Sequence, residues 1–262
     1  MPEEREQFYL LAKVDIFINL IILYSIMRNT YMIQINNLYK SYGSAETKVD
    51  VLKGIDLNIA AGKLVCLLGP SGSGKSTLLN ILGGIEHIDK GSVTVFNHEL
   101  EKMNNKELTL YRRNNVGFVF QFYNLISDLT VEENIQVGQY LSKSPLDLDR
   151  LISSLGLSEQ RKKYPNEISG GQAQRTSIAR AIIKKPSLLI CDEPTGALDY
   201  ESGKEVLELI EKLNGEYKTT VIIATHNSQI AKMCDICLHL RNGQIGNREN
   251  NETKISAREV EW

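Results

Sequence analysis

The chain has 262 residues, of which 42% are apolar and 24% charged, and 30 Lys+Arg against 32 Asp+Glu leave a net charge of −2. That apolar share can fill a sizeable core and excludes wholesale disorder, and the length suits one large or two small domains. The near-neutral balance excludes a surface that grips nucleic acid or anionic lipid throughout, leaving only a local basic patch open.

Residues 1–31 stand apart from the rest. The uncharged apolar run Ile16–Met27 is 12 residues long, short of the roughly 18–20 that a membrane-crossing helix needs. The acidic flank Glu3-Glu4-Arg5-Glu6 is wrong for the positive start of a signal peptide. Residues 1–31 therefore read as an extension, either a loosely ordered or interfacial helix or a stretch ahead of a true start at Met32.

From Met32 onward the pattern becomes regular. Ile33–Tyr39, Val51–Ile59 and Gly91–Phe96 alternate in strand fashion and predict a largely antiparallel sheet. Four continuous apolar runs follow a different rule, each ending in a polar residue. Leu64–Leu68 leads into a glycine-rich loop, Val116–Phe120 into Gln121, Leu188–Cys191 into Asp192-Glu193, and Val221–Thr225 into His226. Such runs suit strands covered on both faces of a parallel sheet. Ligands bind beyond the carboxyl ends of such strands, so all four polar termini are expected to face one site. Val131–Leu141, Asp147–Leu155 and Ser177–Lys184 read as helices of an inserted lobe.

Gly69-Pro70-Ser71-Gly72-Ser73-Gly74-Lys75-Ser76-Thr77 fits the phosphate-loop pattern between a buried strand and a helix expected over Lys75–Leu82. Its glycines let successive N–H groups turn inward on phosphate oxygens, and the helix N-terminus adds partial positive charge. Lys75 is suited to bridge the β- and γ-phosphates and the Ser76 hydroxyl to ligate Mg²⁺. Asp192 and Glu193 close a buried strand, where bare carboxylates are expensive unless a cation compensates them. Asp192 suits the metal, and Glu193 suits a general base acting on water. Ser169-Gly170-Gly171-Gln172 opens a helix expected over Ala173–Ile183, a second anion-binding N-terminus.

With these motifs in order, the chain resembles the nucleotide-binding subunit of ATP-binding-cassette (ABC) transporters over about Met32 to Gly246. The resemblance makes Gly69–Thr77 the Walker A loop, Gln121 the Q-loop, and Ile168–Gln172 the signature, with Ile168 where leucine is usual. It makes Leu188–Glu193 the Walker B strand, Ala197-Leu198-Asp199 the D-loop, His226 the switch histidine and Tyr42 the aromatic stacking on adenine. Tyr164-Pro165-Asn166-Glu167 and the run Asp192–Asp199 are similar to the macrolide-exporter and lipoprotein-releasing type. The implied fold is α/β, a P-loop NTPase (RecA-like) core with an antiparallel β subdomain and an α-helical subdomain over about 122–184.

The implied activity is hydrolysis of ATP with Mg²⁺ held by Ser76, Gln121 and Asp192. Catalytic roles fall to Glu193, His226, Gln121 and Lys75, and Asp199 joins the nucleotide-binding set. One phosphate loop and one signature per chain imply a head-to-tail homodimer, with each ATP between one copy's Lys75 and the other's Ser169–Gln172. A transmembrane permease on a separate polypeptide would give membrane contact and a place at the cytoplasmic face, and no nucleic-acid partner is expected. Regulation of a membrane partner in division or sensing is the alternative to transport. A soluble ABC protein acting on DNA or ribosomes would usually carry two cassettes or a long coiled coil.

Without the family, Tyr42 also suits a surface turn, Gln121 and His226 strand- or helix-end caps, and Asp199 the cap of the next helix. His87, His98 and His239 show no ligand pattern and read as solvated or core residues. Four cysteines are too few for a disulfide scaffold. Cys66 and Cys191 sit in apolar runs, and Cys234-x-x-Cys237 lacks the second pair of a structural zinc site. Residues 247–262 are polar and mixed in charge and read as a solvated tail.

Overall fold

The computed structural model describes residues 31–261; the expectations for residues 1–30 and for Trp262 lie outside them. Alternation of apolar and polar residues builds the first sheet. Strands β1 (Tyr31–Tyr42), β2 (Val49–Ala60), β4 (Lys90–Val95) and β5 (His98–Glu99) pair antiparallel in the order β2-β1-β4-β5. Ile33, Ile35, Leu52, Ile55, Ile59, Val93 and Val95 point inward and are buried.

The second sheet has the order β10-β9-β3-β8-β7-β6. Its strands are β3 (Leu64–Leu68), β6 (Val116–Phe120), β7 (Leu188–Asp192), β8 (Thr220–Thr225), β9 (Ile236–Arg241) and β10 (Gln244–Asn250). Neighbours from β9 through β6 run parallel, and β10 returns antiparallel to β9. Continuous apolar runs are needed because both faces are covered. On β3, Leu64 and Cys66 enter one core cluster with the helices, while Val65 and Leu67 enter the other with the first sheet. Adjacent residues of a strand point to opposite faces, so each run feeds two cores.

Helix α1 (Lys75–Leu82) leaves β3, and α2 (Asn105–Asn115) precedes β6. The inserted lobe consists of α3 (Val131–Gln139), α4 (Leu148–Ser154) and α5 (Gly170–Ile182), and α5 takes in most of the two overlapping stretches expected as helix, Ala173–Ile183 and Ser177–Lys184. Helices α6 (Tyr200–Tyr217) and α7 (Ser228–Ala231) complete the set. Among the described residues no helix is long and apolar enough to cross a membrane.

In the lobe, Thr130 caps α3 in reciprocal bonds with Glu133. The half-turn beyond it carries the charge: Glu132, 7% exposed, takes the Arg161 guanidinium on one oxygen and Lys162 Nζ at 2.6 Å on the other. Hydrogen bonds from Arg161 and then Lys162 hold its carboxyl down to about 2. Loop 158–163 is thereby tied to the lobe.

Two expectations change on the structure. The chain after residue 246 is not a solvated tail: residues 244–250 form β10, Ala257 and Val260 are fully buried, and Ile255 packs on the same core. The Ala257 N–H donates to Glu211 Oε2 on α6 at 3.2 Å. An apolar residue every two or three positions (Ile255, Ala257, Val260) suffices to pin so short a segment, too sparse a pattern to show periodicity. Strand β9 was also unforeseen.

Val260→Ala is expected to cost about 2 kcal/mol from lost burial and the cavity left behind, read as a lower denaturant midpoint; an unchanged midpoint would restore the solvated tail. Because Glu132 has a depressed folded pKa, its contribution is present above 4.5, the ordinary value, and is lost as pH falls towards about 2. Thermal unfolding across that window should show an acid-side loss of stability that Glu132→Gln removes.

Candidate nucleotide site

The parallel register places the carboxyl ends of β3, β8 and β7 side by side. The loop after β3 is tied to its neighbour, with Gly69 N–H donating to Thr225 O at 3.2 Å. Gly72 and Gly74 take left-handed backbone angles, φ 76° and 105°, which glycine adopts without steric cost. A cavity of about 390 Å³ opens here, lined by Ser71, Gly72, Gly74, Lys75, Ser76, Thr77, Asp192, Glu193 and Val51. The loop and the carboxylates expected from sequence thus converge. A larger cleft of about 490 Å³ between Arg175, Glu205 and Ser256 holds none of these residues.

Charge governs the geometry inside. Lys75, nearly buried, donates from Nζ to Gly69 O at 2.8 Å and Pro70 O at 3.3 Å, and lies 3.6 Å from Glu193 Oε1. The same Glu193 oxygen lies 3.1 Å from His226 Nδ1. Glu193 reaches this position from a left-handed backbone, φ 49°, uncommon for a residue with a side chain. Its N–H bond to Ala224 O at 2.9 Å and its carbonyl bond to Gly196 N at 3.0 Å hold that conformation. Burial pushes the Asp192 carboxyl above the usual range against the opposing hydrogen bond from Ser76. A cation beside Ser76 and Asp192 would reverse that penalty. Ser73 Oγ is buried with no hydrogen-bond partner among the described residues, a polar atom suited to a polar ligand.

Tyr42 reaches the loop from β1: its hydroxyl donates to Glu86 and lies 3.5 Å from Thr77 Oγ1. Lys40 Nζ sits 5.3 Å from its ring centroid. Tyr42 is therefore beside the cradle rather than on a remote turn, and is 40% exposed.

Other expected residues lie outside the cavity lining. Gln121 packs its amide against Gly196. Asp199 caps α6, accepting Ser202 N–H at 3.0 Å, and that bond lowers its carboxyl pKa. Ser169 caps α5 and shares reciprocal bonds with Gln172, 3.3 and 3.0 Å. Gly170 and Gly171 carry no side chain where Tyr123 and Ser202 press close. Within one chain the second helix N-terminus therefore leaves the first cradle's lining to the loop and the carboxylates.

Gln174 was missed. Buried on α5, it donates from Nε2 to Pro194 O at 2.7 Å and Phe120 O at 3.3 Å, joining the helix that opens at Ser169 to the ends of β6 and β7. Only the structure identifies it, because nothing in Gln172-Ala173-Gln174 marks which glutamine faces inward.

The sheet order, the glycine-rich loop and the paired acids define a P-loop nucleotide-binding fold. Comparison with known proteins narrows this: residues 52–196 match the family described as ABC transporter. The bacitracin export ATP-binding protein BceA of Halalkalibacterium halodurans is 41% identical over 219 residues, covering 82% of this chain and 87% of that one. The MG065 homolog of Mycoplasma pneumoniae, an ABC transporter ATP-binding protein, is 43% identical over 235 residues, covering 88% of this chain but 50% of its own length. The chain thus spans half the length of that relative. A dimeric structure of the ATP-binding cassette MJ0796 with ADP and Pi superposes with a TM-score of 0.78 at 34% identity, covering 85% of this chain and all of that one. The chain belongs to the ABC transporter family, as one of its ATP-binding cassettes.

Proposed function

We propose that residues 32–246 act as the ATP-hydrolysing engine of a membrane transporter, with residues 122–184 as its helical subdomain. The observation that carries this is the contact of one Glu193 oxygen with both Lys75 and His226 at the mouth of the phosphate cradle. Lys75 and the loop N–H groups of Gly69–Thr77 bind the phosphates, and Tyr42 carries the adenine. Ser76 and Asp192 are the donors that suit Mg²⁺, whose charge would offset the phosphates and the Asp192 carboxylate. Gln121 would be a further donor to the same metal and, seated by Gly196 at the edge of the lobe, the reporter of its state.

Glu193 accepts a proton from water, and His226 orients it and follows the leaving phosphate. Binding of phosphate draws Lys75 from Glu193 and frees that carboxylate for the water. Ser169–Gln172 and Asp199 serve a second copy's nucleotide: a capped helix start can still turn free N–H groups to an anion. The MJ0796 cassette is dimeric in a post-hydrolysis structure that still holds both ADP and Pi, which supports a homodimer here that parts once phosphate has left. BceA and the macrolide export protein MacB support export through a permease, with the cassette held at the cytoplasmic face of the membrane.

Glu193→Gln is expected to lower ATP turnover about 10²–10⁴-fold while leaving ATP binding in place, and Lys75→Ala to lose binding. Phosphate release and equilibrium binding of a fluorescent ATP analogue check both. Wild-type turnover in Glu193→Gln would remove the general base, and unchanged affinity in Lys75→Ala would remove the cradle.

A further inference from the structure

A second group of ligand-type side chains lies on the hairpin of β9 and β10, outside the nucleotide cavity. Cys237 and His239 are two apart on β9 and share a face. Glu249 on β10 is the direct cross-strand partner of Cys237, so all three side chains leave one side of the ribbon. Cys237 Sγ is 3.5 Å from His239 Nε2, and Nε2 is 3.0 Å from Glu249 Oε1. One donor atom from each residue falls within 4.8 Å of the others.

We propose that Cys237, His239 and Glu249 bind one thiophilic divalent cation of the Zn²⁺ class, with a fourth position open to water. Bonds of about 2.3 Å to sulfur, 2.0–2.1 Å to nitrogen and 2.0–2.2 Å to oxygen, set at tetrahedral angles, separate neighbouring donors by about 3.3–3.7 Å. The sulfur–nitrogen separation already matches, the nitrogen–oxygen pair needs to open by a few tenths of an ångström, and the sulfur–oxygen pair, within 4.8 Å, needs to settle into the same range.

Charge agrees with geometry. A thiolate and a carboxylate carry two negative charges and a neutral imidazole none, so a divalent ion leaves the site neutral where Cys237 is only 1% exposed. A monovalent ion would leave a buried excess charge. Exposure rises outward, with the His239 and Glu249 side chains 38% and 52% exposed, giving an entry path and room for water. Supporting contacts surround the donors. Asn247 Nδ2 donates to Glu249 Oε1 at 2.9 Å, and Cys237 is held in register beside Cys66 of β3.

Binding breaks the Cys237 S–H bond, forms a metal–sulfur bond and releases the proton to solvent, so affinity rises with pH. The hairpin turn meets the phosphate loop, Gly243 N–H donating to Ser73 O at 3.1 Å, so the bound ion would brace a neighbour of that loop. The proposal does not depend on the nucleotide reading.

Titrating the nucleotide-free full chain with Co²⁺ tests it. One equivalent should give a thiolate-to-cobalt charge-transfer band that Zn²⁺ abolishes by displacement. Cys237→Ser should lose the band. Glu249→Gln, at an exposed position that leaves folding intact, should weaken affinity at least about tenfold, and Cys234→Ser should leave it unchanged. Circular dichroism confirms that each variant is folded. Absence of the band in the wild-type chain, its survival in Cys237→Ser, unchanged affinity in Glu249→Gln or its loss in Cys234→Ser would each overturn the proposal.

Discussion

Two opposite charges must share the carboxyl end of a parallel sheet, and most of the site follows from that. Lys75 is nearly buried, and the Glu193 side chain is 17% exposed. Neither is stable there alone. The two satisfy each other across 3.6 Å, with the Gly69 and Pro70 carbonyls taking the lysine's remaining protons. The left-handed turn at Glu193, the bond from Gly69 to Thr225 and the adjacency of β3, β8 and β7 all hold that pair at one place. In the proposed mechanism a phosphate chain entering the cradle offers Lys75 a stronger partner, so that binding and the release of the proposed general base become one event.

The second helix start, proposed to bind an anion, stands apart from that pair. Helix α5 opens with Ser169 and Gln172 in a closed reciprocal cap, and its body is committed to the core through Gln174, Ile178 and Ile182. Gln174 joins it to the ends of β6 and β7, next to Gln121 and Pro194. A shift of the lobe therefore moves the N-terminus of α5 and the Gln121 segment together. In the proposed dimer this is the route by which a nucleotide held by one copy is felt at the lobe of the other.

Much of this was legible because chemistry and periodicity coincide. The runs Leu64–Leu68, Val116–Phe120, Leu188–Cys191 and Val221–Thr225 are continuous because each strand feeds two cores, and each ends on the polar residue that the sheet then delivers to one edge. What stayed hidden depends on partners distant in sequence. Strands β9 and β10 carry Asn242-Gly243, the signal for a two-residue hairpin turn, with φ 51° and 81°; the mixed polarity of Gln244–Asn250 masks it because that strand lies at the sheet edge. His239 looked solitary until the pairing of β9 with β10 put Glu249 beside it. Asp199 is the cap that its position before a helix allowed, and its expected place at a shared nucleotide is a property of two chains.

The central claim is that two copies close on Mg·ATP and part after hydrolysis. Sedimentation velocity of the Glu193→Gln chain tests it most directly. The account predicts a dimer at saturating Mg·ATP that reverts to monomer when ATP is replaced by ADP without phosphate, and loss of the dimer when Gly170 is also changed to Asp, which sets a negative side chain where the partner's phosphate would sit. A chain that binds ATP yet sediments as a monomer throughout would contradict it.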